Sequence, residues 1–342
     1  MVTEETLFIL DRGALVARGD SSLRVPAPLD GLAVFEDVRC YRNAKTGATY
    51  AFRLDEHVKR LMRSMGLAML DAPCTAKKLS NAVTTAVDQS GLAECHVRLM
   101  AYRAQPWDAP GGDPLARIAI ACRGVESVAG ADGDADSPSG SDPDAEAADE
   151  GSRAGFASDA SAAAPSMAED NRVVQAVVSS WRAIPVDSLP SAMRCVATLS
   201  VFALVRQEAA AFGVDEAVLL NGKGLVCQST CGNVFIVRDG VLSTPPASSG
   251  AYDSVMRDTA LNLAMDMDVP AIEEQLSRAD LAIADEAFLA DDVLGIVPLV
   301  RIDGRQVAKG KPGAITKALQ KRFAKAATGE LNDYAGWLTE VK

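Results

Sequence analysis

The reactive side chains of this chain lack the spacing of a metal site or of a phosphate-binding loop. Only two histidines are present, His57 and His96, which are too few for a histidine-rich metal centre. Cys227 and Cys231 lie in a strand-to-loop stretch with no histidine close in sequence, which favours small buried thiols over metal ligands. Lys223 lies between two glycines in a predicted hairpin turn, where a solvated charge is expected. The sequence therefore predicts no metal site.

Helices and strands must position these side chains, and the sequence predicts both kinds of element in each half of the chain. Apolar residues at spacings of four, three and four predict a helix over 54–65. Gly213 is expected to end a second helix over 197–212. Other helices are predicted over 76–90, over 259–267 and from 314 onward. Strands, several joined by hairpin turns, are predicted over 6–10, 14–16, 31–41, 49–52, 96–102, 115–122, 175–180, 217–220, 225–227, 234–237, 241–242, 287–290 and 295–300.

Length and composition are those of a globular protein that is large enough for two domains. The 342 residues are 48% hydrophobic and 23% charged. A net charge of −12 argues against a nucleic-acid partner, because phosphate contacts need a basic face. Most of this charge lies in residues 124–170, which hold twelve acids against one base and show no helical or strand period. We expect this segment to be a disordered acidic insertion, more typical of a solvated tether than of a binding segment.

Several features favour a cytoplasmic protein that does not contact a membrane. No apolar run approaches the roughly 20 residues that span a bilayer. The N-terminal residues 1–6 are acidic and lack the basic region of a secretory signal. Seven cysteines, an odd number without regular spacing, indicate reduced thiols.

The order and spacing of seven segments resemble the class IV aminotransferases, most closely the bacterial branched-chain amino acid type. The segments are 34–41, 52–61, 178–182, 233–246, 284–288, 310–316 and 328–330. Each segment is a weak signal alone, but together they cover nearly the whole chain outside the acidic insertion. The resemblance implies an α+β (mixed), two-domain fold of the fold-type IV, D-amino acid aminotransferase-like architecture. The expected units are a small N-terminal domain over 1–123, the insertion over 124–170 and a large C-terminal domain over 171–342.

The resemblance also implies pyridoxal 5'-phosphate in a cleft between the domains, a dimer, and amino transfer between a branched-chain amino acid and 2-oxoglutarate. Arg60 matches the family's phosphate-binding arginine, and a guanidinium pairs with phosphate oxygens in a fork geometry. Arg194 stands where the family has the lysine that holds the cofactor as an imine. A guanidinium stays protonated and forms no ordinary imine, unlike a buried lysine amine. Gln228 replaces the carboxylate that keeps the pyridine nitrogen protonated.

Other positions of the implied site also depart from the family's pattern. Val255 and Met256 fall in the segment 253–257, which stands where the family has a glycine-containing phosphate turn. Asp292 replaces a threonine of the second turn, and an unscreened carboxylate there would repel a phosphate. Asp37 and Leu199 replace a glycine and a tyrosine. Arg98 matches an arginine of the family's substrate pocket, with a cross-strand surface charge as the alternative.

These losses at one site favour a frame that has kept its fold and lost its transaminase chemistry, a pseudoenzyme. Binding of the family's cofactor is therefore doubtful here. One alternative is an active class IV aminotransferase with a displaced site. A second is a protein that binds an amino or keto acid through Arg60 and Arg98. A third is an interaction protein that forms a homodimer, or a heterodimer with an active paralogue.

Overall fold

The structure is a computed structural model that describes residues 5–11, 13–17, 32–103, 115–125 and 172–341. These residues form six α-helices and sixteen strands, and the strands lie in two sheets, so the predicted α+β two-domain fold is confirmed. The predicted acidic insertion falls almost wholly outside the described residues. The helices are α1 (Leu54–Leu67), α2 (Ala76–Ser90), α3 (Val196–Ala211), α4 (Val255–Met265), α5 (Arg278–Ala282) and α6 (Ala314–Ala327).

The first sheet contains seven strands, most of them from the N-terminal part of the chain. They are β1 (Glu5–Asp11), β2 (Ala14–Ala17), β3 (Ala33–Arg42), β4 (Thr49–Phe52), β5 (Cys95–Arg103), β6 (Ala116–Gly124) and β16 (Leu338–Val341). Their order is β16-β4-β3-β5-β6-β1-β2, with antiparallel pairing throughout. Strand β3 lies inside the sheet and is buried over Ala33–Tyr41, so its side chains face protein on both sides.

The second sheet contains nine strands from the C-terminal part of the chain. They are β7 (Val174–Arg182), β8 (Glu216–Leu220), β9 (Val226–Ser229), β10 (Gly232–Arg238), β11 (Val241–Thr244), β12 (Ala271–Glu273), β13 (Glu286–Asp291), β14 (Gly295–Ile302) and β15 (Arg305–Gln306). Their order is β12-β11-β10-β13-β14-β7-β8-β9, with β15 paired to β14. The contacts of β7 with β8 and with β14 are parallel, so this sheet is mixed.

Local sequence signals explain where the elements near the cleft begin and end. The Asn221 side chain accepts hydrogen bonds from the backbone amides of Lys223 and Leu225, which closes the predicted turn between β8 and β9. The Ser254 side chain caps α4 by accepting from the backbone amide of Arg257 at 2.9 Å. The first residue of β10, Gly232, has to be a glycine, because a Cβ there would lie 2.2 Å from the carbonyl oxygen of Ala290 on β13.

The predicted helices and hairpins are confirmed, but several short elements were not predicted. The 54–65 periodicity corresponds to α1, whose apolar positions are buried against the first sheet. Strand β12, helix α5 and strand β16 have too few residues to show a period. The last of these strands pairs with β4, so residues from the predicted C-terminal domain complete the first sheet. The domain bounds 1–123 and 171–342 stay a prediction.

Candidate functional site

A cleft runs beside the segment that leads into α3. Four parts of the chain line it: residues 183–194 with the first turns of α3, the link between β9 and β10, residues 250–254, and the turn after β13. The cleft holds about 810 Å³ of space, part of which is open to solvent. A partly open cleft of this kind is the usual form of a small-molecule site.

Strand β3 brings two adjacent carboxylates, Glu36 and Asp37, to the back of this region. Both side chains are almost completely buried. The backbone amide of Phe35 donates to the carbonyl oxygen of Arg194 at 2.9 Å, and Val34 forms an isolated bridge with Cys195. These backbone contacts hold the Arg194 segment against β3, so the carboxylates and the guanidinium meet.

Carboxylates and aromatic rings surround the Arg194 guanidinium. Its Nη1 donates to Oδ2 of Asp292 at 2.7 Å, and its Nη2 lies 3.1 Å from Oδ2 of Asp37. The guanidinium carbon also lies 4.8 Å from the ring centre of Phe35 and 5.3 Å from that of Tyr252. Burial lowers the pKa of Arg194, but the charges of Asp37 and Asp292 outweigh it, so the net pKa is raised. The side chain at this position is therefore a fixed cation.

Asp37 lies at the centre of three cationic or hydrogen-bonding partners. Arg98 donates to both carboxylate oxygens, at 2.8 and 3.2 Å, from the register position opposite Asp37 on β5. Nε2 of His96 lies 2.7 Å from Oδ1. Burial raises the pKa of Asp37, but the charges of Arg98 and Arg194 and the contact with His96 take it well below its usual range. Arg98, the predicted substrate arginine, is thus paired with a carboxylate of its own chain.

A second network joins Glu36 to Tyr252 and to Arg60, the predicted phosphate arginine. The Tyr252 hydroxyl donates to Glu36, and Nε of Arg60 donates to the same hydroxyl oxygen at 3.3 Å. The Arg60 guanidinium lies 4.5 Å from the Tyr252 ring centre and 3.6 Å from a carboxylate oxygen of Asp253. Burial raises the pKa of Glu36, whereas His57 and the charges of Arg194 and Arg60 lower it, with a net decrease.

The other predicted cofactor positions lie around the same cleft. Oε1 of Gln228 accepts the backbone amide of Tyr252 at 2.9 Å, and Gln228 lines the cleft. Val255 and Met256 are the first two residues of α4, and both side chains are buried; Met256 packs in the hydrophobic core. The structure therefore brings Arg60, Arg194, Gln228 and Asp292 to one region, with Arg98 behind it.

Two adjacent carboxylates lie at the end of β13: Asp291 is its last residue, and Asp292, which lines the cleft, directly follows it. Asp291 accepts the backbone amides of Val293 and Leu294 at 2.9 and 2.5 Å. Burial and the charge of Asp292 nevertheless raise the pKa of Asp291 to about 7. Asp292 is only partly neutralised, because Oδ2 pairs with Arg194 while Oδ1 is buried with no hydrogen-bond partner among the described residues.

The lysines of the described residues lie away from the cleft. All ten of them are solvent-exposed, including Lys223, and none lines the cleft. The described residues also contain no group of three or more His, Cys, Asp or Glu side chains that could hold a metal. Among the described residues, none of the helices has the length and hydrophobicity of a transmembrane span. All seven cysteines are free thiols.

Sequence reasoning missed the roles of Glu36, Tyr252 and Asp291. Glu36 lies in the segment 34–41 and its partner His57 in the segment 52–61, and both segments carry the family resemblance. Their shared membership of these segments could have indicated that Glu36 belongs to the site. Tyr252 immediately precedes the divergent turn 253–257, and nothing in its local sequence indicates that its hydroxyl reaches Glu36 on the other sheet. Asp291 directly precedes Asp292, and nothing in its local sequence indicates that its carboxylate is buried.

Comparison with known proteins places this geometry in a family. The family model for amino-transferase class IV matches residues 33–121 and 130–302. The branched-chain-amino-acid aminotransferase of Escherichia coli (strain K12) is 29% identical over 346 residues, which cover 100% of this chain and 99% of the relative. A putative branched-chain-amino-acid aminotransferase of Methanocaldococcus jannaschii is 31% identical over 92% of each chain.

Solved structures show the same likeness. The branched-chain amino acid aminotransferase from Thermobaculum terrenum in its PLP-form (holo-form) matches with a TM-score of 0.81 and 26% identity over 98% of each chain. The branched-chain aminotransferase from Thermoproteus uzoniensis with norvaline matches with a TM-score of 0.79 and 29% identity over the full length of both chains.

Proposed function

Because the chain belongs to the class IV aminotransferase family, we propose that it is a family member that does not transaminate and binds a small molecule non-covalently in the family's cleft. The family uses pyridoxal phosphate, as the holo relative does. The proposal concerns what this chain has kept of that chemistry. It keeps the frame and the cleft and replaces the reactive amine by Arg194.

One observation carries the proposal: a fixed guanidinium occupies the cleft, and every described lysine is exposed elsewhere. A cofactor imine needs a neutral amine close to the cofactor aldehyde. Arg194 cannot supply one, because Asp37 and Asp292 hold it in its charged form. Bringing one of the ten described lysines into the cleft would require a rearrangement of the chain.

The remaining residues do not fit pyridoxal phosphate bound in the family's manner. A phosphate dianion would have to lie beside Asp292, whose Oδ1 already lacks a donor. Arg60 is shared among Tyr252, Glu36 and Asp253, so its charge is already compensated. Gln228 offers no charge to hold a pyridinium proton.

The competing function is an active aminotransferase with a displaced site, and a trapping experiment separates the two. The purified protein is incubated with pyridoxal phosphate, reduced with borohydride and digested for mass spectrometry. We expect only scattered, substoichiometric labelling of exposed lysines and no turnover of leucine with 2-oxoglutarate. Stoichiometric labelling of one residue, or steady turnover, would overturn the proposal. A Lys223→Ala variant is the control for labelling at the lysine that is nearest in sequence to position 194.

We also propose that the protein assembles as a homodimer, or as a heterodimer with an active paralogue, in the cytoplasm. Helix α3 supports assembly, because it is rich in apolar residues but buries only Val205 and Ala209 in the single chain. Leu204 on this helix and Phe212 at its end are exposed. The seven free thiols support the location. Sedimentation of the purified chain tests the assembly, and a monomer at micromolar concentration would contradict the homodimer.

A further inference from the structure

The cleft has an apolar part and a polar part. Residues of the 183–194 segment and α3 supply the apolar part: Ile184, Leu189, Pro190, Met193, Val201 and Phe202. The polar part lies toward the ends of β9 and β13, where Gln228, Asn233 and Asp292 line the cleft. A ligand that fills the cleft therefore needs an apolar body and one polar head.

Most polar groups at that end already have partners within the protein. Asn233 donates from Nδ2 to the carbonyl oxygen of Tyr252 at 2.6 Å and accepts from the Ser254 hydroxyl at 2.7 Å. Thr230 donates to Glu216 at 2.6 Å. Both terminal nitrogens of Arg194 contact carboxylates. None of these groups needs a ligand to complete its hydrogen bonding.

Two groups at the polar end have hydrogen-bonding capacity that the described residues do not use. Oδ1 of Asp292 is a buried carboxylate oxygen with no donor among the described residues. Such an atom is costly in free energy until a donor reaches it. Gln228 uses Oε1 to accept the Tyr252 amide, so the group that it can offer is its Nε2 donor. The pair presents one acceptor and one donor.

From these two groups we infer that the cleft binds an uncharged ligand with an amide-like head, which carries both an N–H donor and a carbonyl acceptor, on an apolar body. This inference rests on the proposed non-covalent function of the same cleft. Oδ1 of Asp292 is buried in this structure, so the side chain turns it toward the ligand on binding, and the head N–H donates to it. The head carbonyl accepts from Nε2 of Gln228. The apolar body packs on the α3 side.

The charges of the site argue against an anionic head. The guanidinium groups of Arg194, Arg98 and Arg60 each face carboxylates of this chain: Arg194 faces Asp37 and Asp292, Arg98 faces Asp37, and Arg60 faces Glu36 and Asp253. A fourth guanidinium, that of Arg206, donates to the hydroxyl and carbonyl oxygens of Thr230. A carboxylate or phosphate at the Asp292 end would find the Arg194 guanidinium already compensated and would be repelled by Asp292. The sequence instead predicted an amino or keto acid as the ligand, and its carboxylate is the anionic head that these charges disfavour.

An ammonium head is disfavoured for a related reason. Asp292 would attract it, but the Arg194 guanidinium lies 2.7 Å from the other oxygen of the same carboxylate. A second cation at that carboxylate would be repelled by the first. An uncharged donor avoids this repulsion and still satisfies Oδ1.

Three probes with a branched apolar body and different heads test the inference on the whole chain. The probes are 4-methylpentanamide, 4-methylpentanoate and 3-methylbutan-1-amine, each titrated in ligand-observed NMR spectra at pH 8. We expect the amide to bind about tenfold more tightly than the other two, the difference that one satisfied hydrogen bond to a charged group supplies. Equal or tighter binding of the carboxylate or the amine would overturn the inference.

Two variants assign the contacts. Asp292→Asn should weaken amide binding about tenfold, and the surface variant Asp88→Asn is the matched control that should leave it unchanged. Because Asp292 also pairs with Arg194, Gln228→Met provides a test that leaves that ion pair in place, and it should weaken the amide about fivefold. Amide binding that neither variant alters would overturn the inference.

This test separates the inference from the proposed function. Borohydride trapping of the cofactor on one residue would refute the proposed function and the inference with it. Absence of trapping, together with no measurable binding of the amide, would refute only the inference.

Discussion

Arg194 joins Asp37 and Asp292 through different nitrogens of one guanidinium, and the two carboxylates belong to different sheets. Asp37 lies on β3 of the first sheet, and Asp292 directly follows β13 of the second. The three side chains compensate one another's charge. Substitutions at these positions should therefore show strong non-additivity.

Restoring the lysine alone should not restore transamination. In Arg194→Lys the new amine would lie among Asp37, Asp292 and Glu36, which favour its protonated form and leave little nucleophile. We expect no turnover of leucine with 2-oxoglutarate and no stoichiometric borohydride adduct in the presence of added pyridoxal phosphate.

Combining that change with Asp37→Gly, Asp292→Thr and Gln228→Glu is the matched comparison. This combination removes both carboxylates from the lysine and supplies an acid near the pyridine nitrogen. It should yield a borohydride adduct at position 194 when the single variant does not. An adduct in the single variant would show that the carboxylates do not control the amine.

Removing the guanidinium should destabilise the fold. Arg194→Met leaves Asp37 and Asp292 buried without one of their counter-charges, and breaking a buried ion pair in this way costs about 3 kcal/mol. Chemical denaturation should show this loss. Adding Asp37→Asn and Asp292→Asn to the same chain should recover part of it, and no recovery would contradict the ion-pair account.

The stability should decrease as the pH rises through 7. Asp291 has a pKa of about 7 in the folded protein because of burial and the neighbouring Asp292, above the ordinary value of 3.8. Between these values the folded state binds more protons than the unfolded state, so this contribution is complete below about pH 4 and is lost above pH 7. It should make the protein about 1 kcal/mol less stable at pH 8 than at pH 6.

Asp291→Asn should flatten that profile, which urea unfolding at the two pH values would measure. Asp37 and Glu36 have lowered pKa values and act in the opposite direction, since their contribution is lost as the pH falls into the acidic range. An unchanged slope between pH 6 and 8 in Asp291→Asn would assign the effect to another group.

The Tyr252 hydroxyl should contribute measurably to stability. Tyr252→Phe removes the donor to Glu36 and the acceptor for Arg60, and we expect a loss of about 1–2 kcal/mol in the free energy of unfolding. Tyr50→Phe, at a half-buried tyrosine of β4, is the control and should change the stability much less. Equal losses in both variants would show that the Tyr252 hydroxyl has no special role.

The sequence predicted the parts of the fold that have a strong period or a defined turn. The 54–65 pattern predicted α1, and the residues around Asn221 predicted the β8–β9 hairpin. Strand β16 was not predicted, because its four residues show no period and its partner β4 lies almost 290 residues earlier in the chain. Pairing over such a separation depends on the whole fold.

The candidate site was predicted one position at a time. Arg194, Gln228 and Asp292 were each recognised as departures from a family pattern, and Asp37 was noted as a lost glycine. Their mutual ion pairs were not predicted, because no local rule brings β3 and the turn after β13 to the same guanidinium. The charge balance of the site emerges only when the two sheets are placed together.

The bridge from β3 through Arg194 to the turn after β13 also limits motion. Moving the Arg194 segment away from β3 would break the ion pair between Arg194 and Asp37 and the backbone hydrogen bond from Phe35 to Arg194. These two contacts therefore hold the base of the cleft together. We therefore expect a ligand to enter by local movement of residues 183–191, which line the cleft, while β3 and Arg194 stay in place. The amide hydrogen of Phe35 should accordingly exchange with solvent far more slowly than those of residues 183–191.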